Sequence, residues 1–132
     1  MAGETNLGNL LCLMSPVLIE GDYVFCTIKN SIYGDYSETR PIASFVEAEG
    51  LTLVLIKETA ESFDLSYEGV FRCITLGIHS SLEAVGLTAA VAGKLAEHGI
   101  AANVIAAYFH DHVFVQSEFA ERAIGILSEY SN

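Results

Sequence analysis

The chain has 132 residues, 52% of them hydrophobic, and 17 acidic against 6 basic side chains give a formal charge of −11. So apolar a composition excludes intrinsic disorder, and the length suits one ordinary domain or two very small ones. The acidic excess opposes general binding to nucleic acid or to anionic lipid surfaces.

Leu7–Met14 reads as a short helix with Asn6 as its N-cap, stopped by Pro16. The turn signal Gly21-Asp22 leads into a strand over Tyr23–Ile28, which is aromatic, β-branched and apolar. Asn30–Arg40 is polar, contains Gly34 and reads as a surface loop. Ile42–Ala48 and Leu51–Ile56 form two strands around a tight turn at Glu49-Gly50. Leu51–Ile56 is apolar on nearly every residue, so both of its faces want cover. Lys57–Phe63 is a short helix, and Leu65–Gly69 carries the turn chemistry of an internal boundary.

The second half is more regular. Val70–His79 is a strand, with Val70, Ile74, Leu76 and Ile78 on one face and Phe71, Cys73, Thr75, Gly77 and His79 on the other. Leu82–His98 is predicted as a helix whose stripe holds Val85, Ala89, Ala92 and Leu95. Ser80 or Ser81 suits its N-cap, and Gly99 suits a left-handed stop. Ala101–Tyr108 and His112–Gln116 are two more strands around a turn at His110-Asp111, and Ser117–Tyr130 is the last helix. The halves repeat this pattern at an offset of 61 residues, which lays Gly50 on Asp111 and Leu51–Val54 on His112–Val115.

Compartment follows from what the chain lacks. Cys12, Cys26 and Cys73 are odd in number and form no CxxC pair, which points to reduced thiols and away from a disulfide framework or a Cys-only zinc site. Met1-Ala2-Gly3-Glu4 lacks the basic start of a secretory signal. The apolar stretch Leu10–Ile19 is broken by Pro16 and falls short of the roughly 20 residues that a membrane span needs. A soluble cytoplasmic protein with no membrane contact is expected.

The richest segment is the passage from strand to helix around Gly86. Free backbone N–H groups at a helix start carry partial positive charge and suit a carboxylate or phosphate. Gly86 has no Cβ, so a ligand can approach the main chain there. The same glycine also suits close packing of helix on strand, and the residues alone leave both readings open.

Ile74–Val115 resembles an ACT domain, the small βαββαβ regulatory module. The resemblance rests on Gly86-Leu87 at the turn, Gly99-Ile100 after the helix and Asn103 in the next strand. It is nearest the aspartokinase type, whose turn carries Ser and Gly, and here Val85 stands where other members have Pro. Over its full length the chain is similar to small stand-alone bacterial proteins with two ACT-like units. The segments that carry this are Glu47–Leu53, His79–Leu87 and His110–Val115. The resemblance implies an α+β fold of two ferredoxin-like βαββαβ units in tandem, with antiparallel sheets and helices on one face. Residues 1–66 would form a truncated first unit and 67–132 a full second one. It further implies that Ser81, Leu82, Glu83, Ala84, Val85, Gly86, Leu87 and Thr88 hold the carboxylate of an amino acid or similar small acid. Ala102, Asn103 and Val104 would meet its ammonium end or side chain. Such sites lie between two units, so the other half of this chain or a second copy would close the pocket. Because both faces of Leu51–Ile56 want cover and edge strands can join two sheets into one, a homodimer is expected, with no cofactor and no metal.

His110-Asp111-His112 has the residue types of a metal site or an acid–base pair. Zinc wants three or four protein ligands, and nothing in the spacing brings His79 or His98 to the same spot. A polar hairpin turn, with Asp111 bonding its own backbone, is the simpler reading. No nucleophile elbow, P-loop or dinucleotide fingerprint is present. Three functions follow in order: a non-enzymatic module that binds an amino acid, an interaction module with an empty pocket, and a small enzyme using His110 and His112 with Glu83 or Glu118.

Overall fold

The computed structural model describes residues 6–79 and 81–131. Met1–Glu4 and the candidate cap Ser80 lie outside the described residues. In chain order the elements are α1 (Leu7–Cys12), β1 (Pro16–Leu18), β2 (Tyr23–Ile28), β3 (Ala43–Glu47), β4 (Gly50–Ile56), α2 (Lys57–Ser62), β5 (Phe71–Leu76), α3 (Leu87–Glu97), β6 (Asn103–Ala106), β7 (Asp111–Gln116) and α4 (Ala120–Ser128). Short 3-10 turns stand at Ser37–Thr39, Ser117–Phe119 and Glu129–Ser131. Among the described residues no helix is long and apolar enough to cross a membrane.

The chain divides into two compact units. A terminal unit gathers Met1–Glu20 with Arg72–Asn132, and a middle unit holds Gly21–Phe71. This differs from a simple division after residue 66, and the reason is β1. By residue type Pro16 marks only a helix stop. Pro16 instead opens a strand that pairs antiparallel with β5, Pro16 opposite Leu76 and Leu18 opposite Ile74. Proline is tolerated at the first residue of a strand, where no ladder donor is needed. Ile19 N then donates to Cys73 O at 2.8 Å, and Arg72 Nη2 donates to Ile19 O at 3.0 Å.

In the terminal unit the strands run β1-β5-β7-β6. β6 and β7 form an antiparallel hairpin with Asn103 opposite Phe114 and Ala106 opposite Asp111. Alternation puts Ile74 and Leu76 of β5 with Val113 and Val115 of β7 on one face. Leu87, Val91 and Leu95 of α3 and Ala123, Ile126 and Leu127 of α4 join them in a single buried core. Leu10 and Met14, both fully buried, anchor the α1 segment in the same core. Each such side chain contributes about 1.5–3 kcal/mol when buried. Lys94 and Glu129 form an ion pair at 3.0 Å on the wet side of the helices.

The predicted helix over Leu82–His98 begins late. α3 starts at Leu87 because Gly86 sits at φ 97 in the left-handed region, which an α-helix does not contain. Leu82 and Val85, counted on or beside the apolar stripe, are 65% and 83% exposed.

In the middle unit the strands run β3-β4-β2. β2 pairs antiparallel with β4, Tyr23 opposite Ile56 and Ile28 opposite Leu51, and β3 pairs with β4, Ala43 opposite Val54 and Glu47 opposite Gly50. Val24, Cys26, Leu51, Leu53 and Leu55 share a face, and Ala60 of α2 packs onto it. Phe71 lies opposite Tyr23, and its ring meets Phe25 edge-on at 5.3 Å. Gly50 is required at the hairpin: it holds φ 151, and a Cβ there would stand 2.6 Å from Ile28 O. β4 and β7 occupy corresponding places in their units, as the 61-residue offset predicts. Burial raises the pKa of the Cys26 thiol, and also that of Cys73, where a hydrogen bond with Thr75 opposes it in part.

Candidate functional site

The Gly86 turn is built from its own short-range bonds. Ser81 Oγ accepts from Glu83 N at 3.1 Å, and Ser81 O accepts from Ala84 N at 3.0 Å. Two of the amides expected to face a carboxylate are therefore already engaged. Beyond them the picture changes. Gly86 takes the N-cap position of α3 and supplies no side-chain cap. Its carbonyl accepts from Ala90 N at 2.9 Å, while the amides of Gly86, Leu87 and Thr88 have no hydrogen bond to another described residue. An eleven-residue helix thus presents uncapped donors at a residue without a Cβ.

The space over Gly86 is not open. A Cβ built on Gly86 would stand 3.1 Å from Leu7 Cδ2. Leu7 is the first residue of α1, whose N-cap Asn6 accepts from Asn9 N at 3.0 Å. Sequence reasoning placed this helix but not its packing. The only signal was an apolar residue directly after a cap, which fixes no partner. Leu7 itself keeps 36% exposure, so it rests on the turn at the surface.

The other expected contacts come from β6 and the residue before it. Asn103 is exposed, and its Nδ2 donates to Phe114 O at 3.3 Å across the hairpin. Its side-chain oxygen is the atom suited to an ammonium group. Ala102 and Val104 are half-buried and pack against the core of the terminal unit. Leu87 is buried in that core, whereas Glu83 and Thr88 are exposed.

At the histidine hairpin Ala107 N donates to His110 O at 3.1 Å and closes the turn. The two imidazoles go to different partners. His112 Nδ1 shares a hydrogen bond of 2.9 Å with Thr75 Oγ1, and His110 Nδ1 lies 3.4 Å from Ile78 O. Burial lowers the His112 pKa, the neighbouring charge of His110 lowers it further, and Asp111 opposes them. His79 instead joins an exposed ring cluster, 5.3 Å from Phe109 and 6.1 Å from Tyr108. Among the described residues no three His, Cys, Asp or Glu side chains gather in a way that would hold a metal ion. Glu118 is exposed at the start of the last helical segment, as is Glu83 in the Gly86 turn.

Comparison with known proteins gives the family and the fold. Two family models, each described as ACT domain, match residues 2–72 and 68–129. No curated protein matches. Among solved structures, a Vibrio cholerae protein of unknown function, described as a possible transport protein, is 56% identical over 96% of both chains with a TM-score of 0.88. An Agrobacterium tumefaciens protein is 16% identical, with 88% of this chain and 87% of that one covered and a TM-score of 0.72. The ligand-free regulatory subunit of aspartate kinase from Thermus thermophilus is 11% identical, with coverage of 92% and 99% and a TM-score of 0.62; at that identity the likeness is one of fold.

Proposed function

Since the chain belongs to the ACT domain family, matched in both of its sequence repeats, we propose that it is a non-enzymatic regulatory module that binds a small amino acid or related carboxylate at the Gly86 turn. ACT domains are regulatory rather than catalytic, and structural neighbours include regulatory subunits. The observation that carries the reading is the uncapped start of α3 behind Gly86, with the amides of Gly86, Leu87 and Thr88 free of other described residues. The carboxylate sits on those amides. The turn from Ser81 to Val85 supplies the wall, and Asn103, between Ala102 and Val104, faces the ammonium end. An exposed anion at a helix start gains only about 0.3–1 kcal/mol, so binding also needs apolar contact and closure by a second unit. Binding orders the turn and shifts an interface equilibrium.

Residues 1–66 and 67–132 are the two repeats of this module, and it works as a cytoplasmic homodimer. Support for the second copy lies in β3, an edge strand with Phe45 70% and Val46 59% exposed. Light scattering at micromolar concentration tests it: a dimer mass is expected, and a monomer mass contradicts it.

A second reading, an interaction module whose pocket holds no ligand, is favoured by one contact, Leu7 over Gly86. Thermal shift of the wild type and of Leu7→Ala against the twenty amino acids at millimolar concentration separates the two. Stabilisation of either form supports the binding module, and larger stabilisation of Leu7→Ala assigns Leu7 as its cover. No stabilisation of either form selects the interaction module.

A further inference from the structure

In the terminal unit α3 joins β5 to β6 and closes the sheet face. In the middle unit the corresponding passage, residues 29–42 between β2 and β3, holds only the 3-10 turn Ser37–Thr39. A cleft of about 400 Å³ opens there, bounded by Leu51 and Leu53 of β4, Ser44 of β3, and Tyr33, Asp35 and Ile42 of the passage. Leu51 and Leu53 are each 1% exposed and form its floor, while Tyr33 and Ile42, 79% and 48% exposed, form its rim. The volume falls among those of small-molecule sites, about 300–1,000 Å³.

The passage is held in an unusual backbone path. Asn30, Tyr36 and Arg40 lie at φ 58, 63 and 50, a left-handed region that side chains disfavour. Such residues persist where the surroundings fix them, and they cluster at ligand clamps. Here Thr39 Oγ1 donates to Tyr36 O at 2.7 Å, and Asp35 Oδ2 accepts from Ile32 N at 2.9 Å.

The chemistry of the lining selects a charge. Asp35 is its one ionisable carboxylate, and neither Lys nor Arg lines the cleft. Among the described residues no cationic side chain pairs with Asp35. A carboxylate or phosphate finds hydroxyls of Ser37 and Ser44 but no cationic partner in the lining, and meets the field of a chain with a formal charge of −11. A cation is attracted by Asp35, and the Tyr33 side chain at the rim offers it a π system. We propose that this cleft is a second ligand site, distinct from the Gly86 turn, for an organic primary ammonium cation with an apolar body. The ammonium pairs with Asp35, and the body lies on Leu51 and Leu53.

Nuclear magnetic resonance titration of the full chain tests this with phenethylammonium chloride, 3-phenylpropionate and phenylalanine as probes. Saturable shifts at Ser44, Leu51 and Leu53 with phenethylammonium are expected, with affinity at least about tenfold weaker for 3-phenylpropionate, the size of effect that one charge-assisted bond supplies. Asp35→Asn keeps an acceptor for Ile32 N and removes the charge, so it lowers phenethylammonium affinity by a similar factor in a spectrum that stays dispersed. Ser44→Leu fills the cleft and abolishes the shifts. The proposal is overturned by equal affinity for the carboxylate, by an Asp35→Asn variant that binds as the wild type does, or by no saturable shift at these residues. It is also overturned if the same signals move with protein concentration alone, which marks a second copy as the occupant. Shifts with phenylalanine at Gly86 and Thr88 report on the other site and leave this result independent.

Discussion

The two units share a strand pattern and differ in one connection. Between β5 and β6 the terminal unit inserts α3, and Leu87, Val91 and Leu95 seal one face of its sheet. Between β2 and β3 the middle unit inserts residues 29–42 with no α-helix, and its face is covered by α2 and by partly buried residues such as Tyr36, Leu65 and Tyr67. Strand register survives the loss of a helix, because alternation within β2 and β4 fixes it independently. The helix is a separate requirement, and where it is missing a buried face becomes a cleft.

Core truncations should break this symmetry most strongly. Leu95→Ala in the fully enclosed core is expected to cost about 2–5 kcal/mol, measured by urea unfolding of the full chain. Leu53→Ala, beside the cleft, is expected near or below about 2 kcal/mol, because the space it leaves joins an open cavity instead of a sealed one. Equal losses would show that the middle unit is as closed as the terminal one. Gly50→Ala comes next, at about 1–3 kcal/mol, since the new Cβ meets the Ile28 carbonyl at 2.6 Å and the carbonyl cannot swing away. Gly86→Ala is milder, about 1–2 kcal/mol for a left-handed residue, because the atom it meets is the movable end of Leu7.

pH sharpens the contrast further. His112 is held below its ordinary value of 6.5 by burial and by His110. The unfolded chain therefore takes up this proton more readily than the folded one. The contribution is complete above pH 6.5 and is lost as pH falls through the lowered folded value. Urea midpoints of the wild type should drop over that interval, and His112→Gln should flatten the drop; parallel curves would contradict the assignment. The smallest effect belongs to the Lys94–Glu129 pair, half-buried at Lys94 and exposed at Glu129: Glu129→Gln should leave the thermal midpoint unchanged.

Much of this is legible in the sequence. The strand over Tyr23–Ile28 matches β2 at both ends and Asn6 caps α1 as its residue type suggests, while the hairpin turn falls one residue earlier than Glu49-Gly50, at Ala48-Glu49, with Gly50 already in β4. What was not legible depends on distance in sequence. β1 is three residues long, and only its pairing with β5 makes it a strand. The start of α3 is misread because Leu82 and Val85 fit a 3.6-residue stripe, while the left-handed backbone at Gly86 overrides periodicity. At the candidate site the free donors follow from the turn, but the contact of Leu7 with Gly86 joins residues 79 positions apart and carries no local signal.

The most direct test is a two-dimensional amide spectrum of the full chain titrated with pools of the twenty amino acids, for the wild type and Leu7→Ala. The amides of Gly86, Leu87 and Thr88 should move together and saturate with at least one pool, before any others in the terminal unit. If those three signals stay fixed in both proteins at millimolar concentration, the Gly86 turn is no amino-acid site.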